Sequence, residues 1–504
     1  MSQSSPLDIV IAGGGTAGWV AAATFARFLG NRATVTLVES DEIGTVGVGE
    51  ATIPQIHNLI QGLGLDQVDF LRRTNATFKL GIEFTDWMGP GEHYIHSFGT
   101  TGRGVGLIPF RQLWLRGRSL GVAGELGDYS YNVVAARMGR MATNSGSATI
   151  PDLAYAYHFD ASLFAAMLRD YAEQLGVQRV EGMIADVERD GKSGDLTALL
   201  LNGERRIAGN FFIDCTGFRS LLLGNSCGIP YVDWSHWLPC DSALAVPCES
   251  SDAFRPYTQA MSRRAGWQWR IPLQHRTGNG HVYCSRHISD DEATSSLLAN
   301  LDGKALADPR PIRFTSGRRE TFWSHNCVAL GLAAGFMEPL ESTSIHLIQT
   351  AVTRLIDLLP AGDITDATRD DYNERAALEM ERIRDFIILH YHANQREGEP
   401  FWDALRTMDV PEPLRHKIDL FRATARVIPS FDELFDMRAW IHVMIGQNII
   451  PESYHPIADD LPEVRLREFL DGLERAHMQQ VARMPDHGEF VARFGPINRE
   501  LVPA

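Results

Sequence analysis

Apolar residues recur along this chain in different rhythms, and each rhythm predicts a different kind of element. Asp8 to Ala12 is almost continuously apolar, as a strand buried on both faces would be. Thr16 to Leu29 repeats apolar positions at helical spacing, and Thr34 to Glu39 reads as a second strand. Together these predict a β-α-β unit. The run from Leu7 to Ala26 is long enough to pass for a membrane span. However, four glycines and two threonines divide it into strand, turn and helix. Further strands are predicted at Val180 to Val187, Leu196 to Leu201, Asn210 to Cys215, Trp267 to Pro272 and His281 to Ser285. A helix is predicted from Ser162 to Leu175, opened by a cap at Asp160. From Glu341 onward the pattern turns helical. Ile345, Leu347, Ile348, Ala351, Val352, Leu355 and Ile356 form one broad apolar face, and Phe401 to Val427 predicts helices broken at Pro411 and Pro413. The fold class is therefore α/β. No Gly/Ser/Pro linker separates the parts, so interleaved units are expected. Residues 1–55, 150–235 and 265–345 are assigned to a nucleotide-binding unit. Residues 56–149, 236–264 and 346–504 are assigned to a mainly helical unit.

Composition changes this picture little. The net charge of −16 argues against nucleic-acid or anionic-membrane partners, so a small anion must be drawn in by local dipoles. The six cysteines form no C-x-x-C pair, and no basic-plus-apolar signal precedes them. Reduced thiols in a cytoplasmic protein are the simplest reading.

The chemistry begins at Gly13-Gly14-Gly15-Thr16-Ala17-Gly18, a G-x-G-x-x-G segment between a predicted strand and a predicted helix. Gly13, Gly15 and Gly18 permit a tight turn and close backbone approach. Thr16 and Ala17 open the helix, whose N-terminus can hold a pyrophosphate. Glu39 ends the next strand, about twenty residues on, where it can accept from ribose hydroxyls. The motif does not separate FAD from NAD. A second strand exit, Phe211-Phe212-Ile213-Asp214-Cys215-Thr216-Gly217, favours FAD, with Asp214 and Gly217 as cofactor-side candidates; an ordinary strand exit is the alternative.

Trp267 and Trp269 sit two apart, so on a strand both indoles face one side, either in a core or along a cofactor pocket. Three segments then converge. Val46-Gly47-Val48-Gly49-Glu50-Ala51-Thr52-Ile53-Pro54, Trp267 to Pro272, and Glu338-Pro339-Leu340-Glu341-Ser342-Thr343 resemble the flavin-dependent tryptophan halogenase family over nearly the whole chain.

The resemblance implies a Rossmann-like FAD-binding unit of the flavin monooxygenase type beside a helical substrate-binding unit and lid. It implies FAD used as FADH2, with O2 and bromide or chloride as co-substrates. A separate NAD(P)H-dependent flavin reductase would be the partner. Reduced flavin and O2 would convert halide to hypohalous acid, which halogenates an electron-rich aromatic ring. Lys79, in Thr77-Phe78-Lys79-Leu80-Gly81-Ile82, matches the family lysine that handles this oxidant, and Glu341 matches the carboxylate that accepts the ring proton. Without the resemblance, Lys79 reads as a strand lysine facing solvent and Glu341 as a helix-start residue. Val48 and Ala51 join the cofactor-binding set. Trp267 and Trp269 become a flavin-side partition that excludes the organic substrate. The backbone amides of Thr343 and Ser344 would bind halide. His96 and Phe98 match an aromatic pair that sandwiches the substrate ring.

One segment departs from the family. Members acting on free tryptophan carry Tyr-Tyr where Trp440-Ile441 stands here. Losing both hydroxyls disfavours an amino-acid substrate, so indole or an indole derivative is expected, with Trp440 a stacking candidate. No metal is expected, since His93 and His96 lack a third ligand and His390 and His392 read as helix-face residues. An aromatic hydroxylase and a non-catalytic FAD-binding protein are the alternatives. A homodimer is the candidate assembly.

Overall fold

The structure is a computed structural model and describes residues 7–43, 49–147, 150–250, 254–359, 364–430 and 433–495. The chain divides into two compact units. The first is Met1–Ala76, Phe159–Asp241 and Arg313–Glu381; the second is Thr77–His158, Ser242–Ile312 and Arg382–Ala504. Compared with the expected boundaries, 150–158 and 265–312 fall in the second unit, and 56–76, 236–241 and 346–381 fall in the first.

The first unit is built on a six-stranded sheet. Its order is Trp323–Ser324, Cys327–Ala329, Phe211–Asp214, Leu7–Ala12, Ala33–Glu39 and Gln178–Glu181. All neighbours pair in parallel except the Trp323–Ser324 edge. Ile9, Val10, Ile11 and Ala12 are fully buried, which accounts for their unbroken apolar run. The helix Thr16–Leu29 follows the first strand as expected. The helix Ala161–Gln174 starts where Asp160 accepts from the amides of Ser162 at 3.0 Å and Leu163 at 3.2 Å. The strand expected over Val180 to Val187 is two strands in two sheets. Gln178–Glu181 edges the main sheet, and after Gly182 Ile184–Arg189 joins a separate three-stranded sheet.

The second unit is more than helical. It carries a seven-stranded sheet ordered Arg310–Arg313, Ser242–Cys248, Thr277–Tyr283, Gly266–Pro272, Thr258–Arg263, Gly81–Thr85 and His93–Ser97. The strand with the two tryptophans is central, so both of its edges are paired. Helices include Pro400–Thr407, Glu412–Thr424 and Met437–Gly446. The predicted break at Pro413 is absent. Pro413 sits in the first turn of its helix, where its missing N–H has no intrahelical partner to lose. Among the described residues, no helix is long and apolar enough to cross a membrane, and no group of three or more His, Cys, Asp or Glu is placed to hold a metal.

Candidate functional site

In the first unit the glycine turn is shaped by contacts that exclude any side chain. Gly13 has φ +106°, and a Cβ there would lie 2.3 Å from the Cys215 carbonyl oxygen. A Cβ on Gly18 would meet the Gly13 oxygen at 1.9 Å. Gly15 differs: its φ is −72°, and a Cβ there would meet nothing within 4 Å. Gly15 is also the N-cap of the first helix, with no side-chain cap and no acidic residue in the first turn. Bare amides at Thr16 and Ala17 beside open space fit a pyrophosphate.

Glu39 stands at the end of the second strand. Its carboxylate accepts from Arg179 Nε at 2.5 Å and from Trp19 Nε1 at 3.4 Å. Asp214 is fully buried and saturated from within. Oδ1 accepts from the Thr216 amide and hydroxyl, and Oδ2 from Leu222 N, Leu223 N and the Ser220 hydroxyl. Its carboxylate shapes the turn that carries Gly217, whose φ is +69° and whose Cβ position is open. Ala51 lies buried on the short strand Gly49–Ala51, while Val48 lies outside the described residues.

Glu50, next to Ala51, was not singled out from the sequence. Burial pushes its carboxyl up to about 7. An acidic residue directly after a Gly-rich loop was the available signal.

Glu341 is 1% exposed and closes a 3-10 turn, Pro339–Glu341. Ser342 follows in the left-handed region at φ +59°, an uncommon conformation for serine that often marks a functional turn. Thr343 is the N-cap of the helix Ser344–Leu358 and makes no side-chain cap bond. The first-turn amides are therefore available to an anion.

In the second unit Lys79 is 0% exposed on the strand Thr77–Lys79, with its ammonium 5.5 Å from the centre of the half-buried Phe98 ring. The solvent-facing alternative for Lys79 is excluded. His96 belongs to an aromatic wall, 5.6 Å from Phe386, 6.4 Å from Phe435 and 6.4 Å from His442 between ring centres. Phe386 and Phe435 stack at 3.9 Å. Trp440 packs edge-on against Phe386 at 4.8 Å and donates its N–H to Glu433 at 3.0 Å. The Lys417 ammonium covers one indole face at 4.1 Å and pairs with the same Glu433. Neither Phe386 nor Phe435 carried a sequence signal, because their relevance comes from packing alone. His390 is fully buried and stacks on Phe84 at 4.5 Å, so it is a core residue and not a helix-face one.

Trp267 and Trp269 share one face of their strand, their rings 6.1 Å apart and tilted by 57°. Both are buried. Trp269 lies directly over Gly280, where a Cβ would come within 2.0 Å of its ring. The structure thus brings Lys79, Phe98, His96, Trp440 and the two tryptophans into the second unit. The glycine turn, Glu39, Asp214, Glu341, Thr343 and Ser344 belong to the first.

The family model for tryptophan halogenase matches residues 8–463. The tryptophan 6-halogenase of Streptomyces toxytricini is 34% identical, over 98% of this chain and 99% of its own. A flavin-dependent halogenase from Xanthomonas campestris is 48% identical with a TM-score of 0.95, covering 98% of this chain and 99% of that one. Another, from Brevundimonas sp. BAL3, is 42% identical with a TM-score of 0.93, covering 98% and 100%. Flavin, halide and O2 are the reactants of this group. The open glycine turn of the first unit has room for a nucleotide. The chain belongs to the tryptophan halogenase family and is a flavin-dependent halogenase.

Proposed function

We propose that this enzyme halogenates indole or an indole-like aromatic, with hypohalous acid as the halogenating agent and Lys79 and Glu341 as its catalytic residues. FAD would be held by the amides after Gly15 and by Glu39. Reduced flavin with O2 supplies the two-electron oxidation of halide to hypohalous acid. Everything afterwards falls to side chains of the protein. The Lys79 ammonium donates to the oxidant and holds it against the aromatic wall of Phe98 and His96. Ring carbon attacks the halogen, the oxygen–halogen bond breaks as Lys79 passes a proton to the departing hydroxide to give water, and Glu341 takes the proton from the halogenated carbon. Thr343 and Ser344 amides hold the halide before its oxidation. Trp267 and Trp269 keep organic substrate from the flavin. A separate flavin reductase supplies FADH2, which implies a cytoplasmic setting.

The observation that carries this reading is a wholly buried lysine beside a half-buried phenylalanine ring. The test combines enzyme, a flavin reductase, NADH, FAD, O2, indole and bromide. Bromoindole is expected. Addition of one oxygen independent of halide would make the enzyme a hydroxylase instead.

The substrate follows from Trp440 and Ile441. The Trp440 N–H already serves Glu433, and the Ile441 side chain has no polar atom. Neither side chain offers a hydroxyl to an ammonium or a carboxylate placed there, a loss of about 1–3 kcal/mol for each missing partner. We therefore expect kcat/KM for indole to exceed that for free tryptophan by roughly tenfold or more. Parity, or a preference for tryptophan, would refute the argument. Bromide, the more easily oxidised halide, is expected to be accepted at least as well as chloride.

A further inference from the structure

We propose that His158 is a positioning residue for Lys79, holding it in place for halogenation by locking the lysine strand to the two-tryptophan strand. The proposal rests on Lys79 handling the oxidant as stated above. The Thr77–Lys79 strand pairs antiparallel with the segment that carries His158, so that Thr77 faces His158 and Lys79 faces Ala156. Thr77 and Lys79 are two residues apart and share a face. His158 is thus the diagonal neighbour of Lys79, across the small Ala156.

The hydrogen positions follow from the partners. The Thr77 hydroxyl lies 2.7 Å from the Pro272 carbonyl oxygen, which can only accept, so Thr77 donates there. With its one hydrogen used, Thr77 Oγ1 must accept from His158 Nδ1 at 3.1 Å. His158 is fully buried, and burial together with the charge of Lys79 holds its basicity well below the ordinary histidine value. Nε2 is therefore bare and accepts from the Thr258 hydroxyl at 2.8 Å. The chain runs one way, from Thr258 through His158 and Thr77 to Pro272, the last residue of the Gly266–Pro272 strand.

The next residue is held too. The Phe78 amide donates to His487 Nε2 at 3.2 Å, so His487 Nδ1 carries the proton and donates to the Phe254 carbonyl at 2.9 Å. Two neutral imidazoles thus fix Thr77 and Phe78, the two residues before Lys79. They add no positive charge beside it. Displacing a catalytic group by about 1 Å can cost on the order of a hundredfold in rate, so such a lock has a kinetic role.

The experiment compares His158→Leu, Thr77→Val and Thr77→Ser with the unmodified enzyme. It follows kcat and KM for indole bromination, and bromoindole formed per NADH consumed. We expect His158→Leu and Thr77→Val each to lower kcat and product per NADH at least fivefold. KM for indole should stay within twofold, and FADH2 oxidation should continue. Thr77→Ser, which keeps the hydroxyl, should retain more than half of the unmodified coupling. If His158→Leu fails to fold, the near-isosteric Thr77→Val decides alone. Unchanged coupling in Thr77→Val, a rise in KM at constant kcat, or equal loss in Thr77→Ser would each overturn the proposal. Absence of bromination by the unmodified enzyme would instead refute the halogenase reading of its function.

Discussion

The glycine turn of the first unit and the lysine strand of the second are built in opposite ways. At the turn the working groups are backbone amides, and the residues around them are small or missing a side chain. Gly15 opens on empty space and leaves the helix start uncapped. At the lysine strand the working groups are side chains, and the surroundings are filled. Lys79 is wholly buried, and imidazoles, hydroxyls and aromatic rings from distant segments enclose its strand. A backbone site tolerates change at its rim but not at its pinch points. A side-chain site should fail chemically before it fails structurally.

The strongest way to break this contrast is Lys79→Ala. If the second unit contributes chemistry through that ammonium, halogenation should fall by about 10²–10⁴-fold, the usual scale for a positioned proton donor. FADH2 oxidation should persist, with peroxide replacing halogenated product. Product analysis beside NADH consumption reads both. Retained halogenation would remove Lys79 from the mechanism.

The matching test on the first unit pairs two substitutions. Gly13→Ala forces a Cβ to 2.3 Å from a carbonyl oxygen at φ +106°, against rigid backbone. We expect it to cost about 2–4 kcal/mol in stability and to abolish FAD binding. Gly15→Ala meets no atom within 4 Å. It should keep the unmodified Tm and lose affinity for FAD by roughly tenfold, because the added methyl occupies the approach to the pyrophosphate. Thermal melts and flavin titration separate the two. Undiminished FAD affinity in Gly15→Ala would show that the turn does not hold the cofactor.

The same contrast explains what could be read before the fold was known. The glycine turn, its helix and the Asp160 cap are local: donors, acceptors and backbone geometry lie within a few residues, so spacing alone reveals them. The apolar strand Leu7–Ala12 was legible because parallel strands bury both faces. The lysine surroundings were not. His487 reaches Phe78 across 409 positions, and His158 reaches Thr258 across 100. Neither histidine carries a pattern of its own. Lys79 read as solvent-facing until its likeness to the halogenase segments was weighed. The division of Val180 to Val187 was missed because Gly182 looks like any glycine inside a strand. The sheet around Gly266–Pro272 was under-read because Gln268, Arg270, Asn279 and His281 on one face, and Gly278 and Gly280 on the other, interrupt the apolar rhythm of its strands.

Glu50 sharpens the comparison from within the first unit, as a side-chain group among backbone ones. Its carboxyl is displaced from 4.5 to about 7 by burial, so the folded state holds that proton more tightly than the unfolded chain. Stability contributed by the neutral form is full below pH 4.5, declines as pH rises through 7, and is lost above it. The displacement corresponds to roughly 3 kcal/mol as an upper bound. Glu50→Gln cannot ionise. It should match the unmodified protein near pH 4 and exceed its Tm near pH 8. An equal Tm difference at both pH values would mean that the carboxyl is not held neutral.

The smallest expected effect concerns Trp269, at a place where the second unit depends on a missing side chain as the first unit does. A Cβ on Gly280 would lie 2.0 Å from Trp269 Cζ2 and 2.1 Å from Cη2. Gly280 is opposite Trp269 in the antiparallel pairing, on a central strand with no slack on either side. Gly280→Ala must therefore tilt the indole, at about 1–3 kcal/mol of overpacking strain. Trp269→Phe removes the fused ring that carries both colliding atoms. Combined with Gly280→Ala, it should recover part of the lost stability, so the double variant melts above Gly280→Ala alone. If the two losses simply add, the ring does not rest on Gly280. If the double variant regains stability but forms less halogenated product per NADH, the indole matters to the reaction beyond its packing, as a partition would.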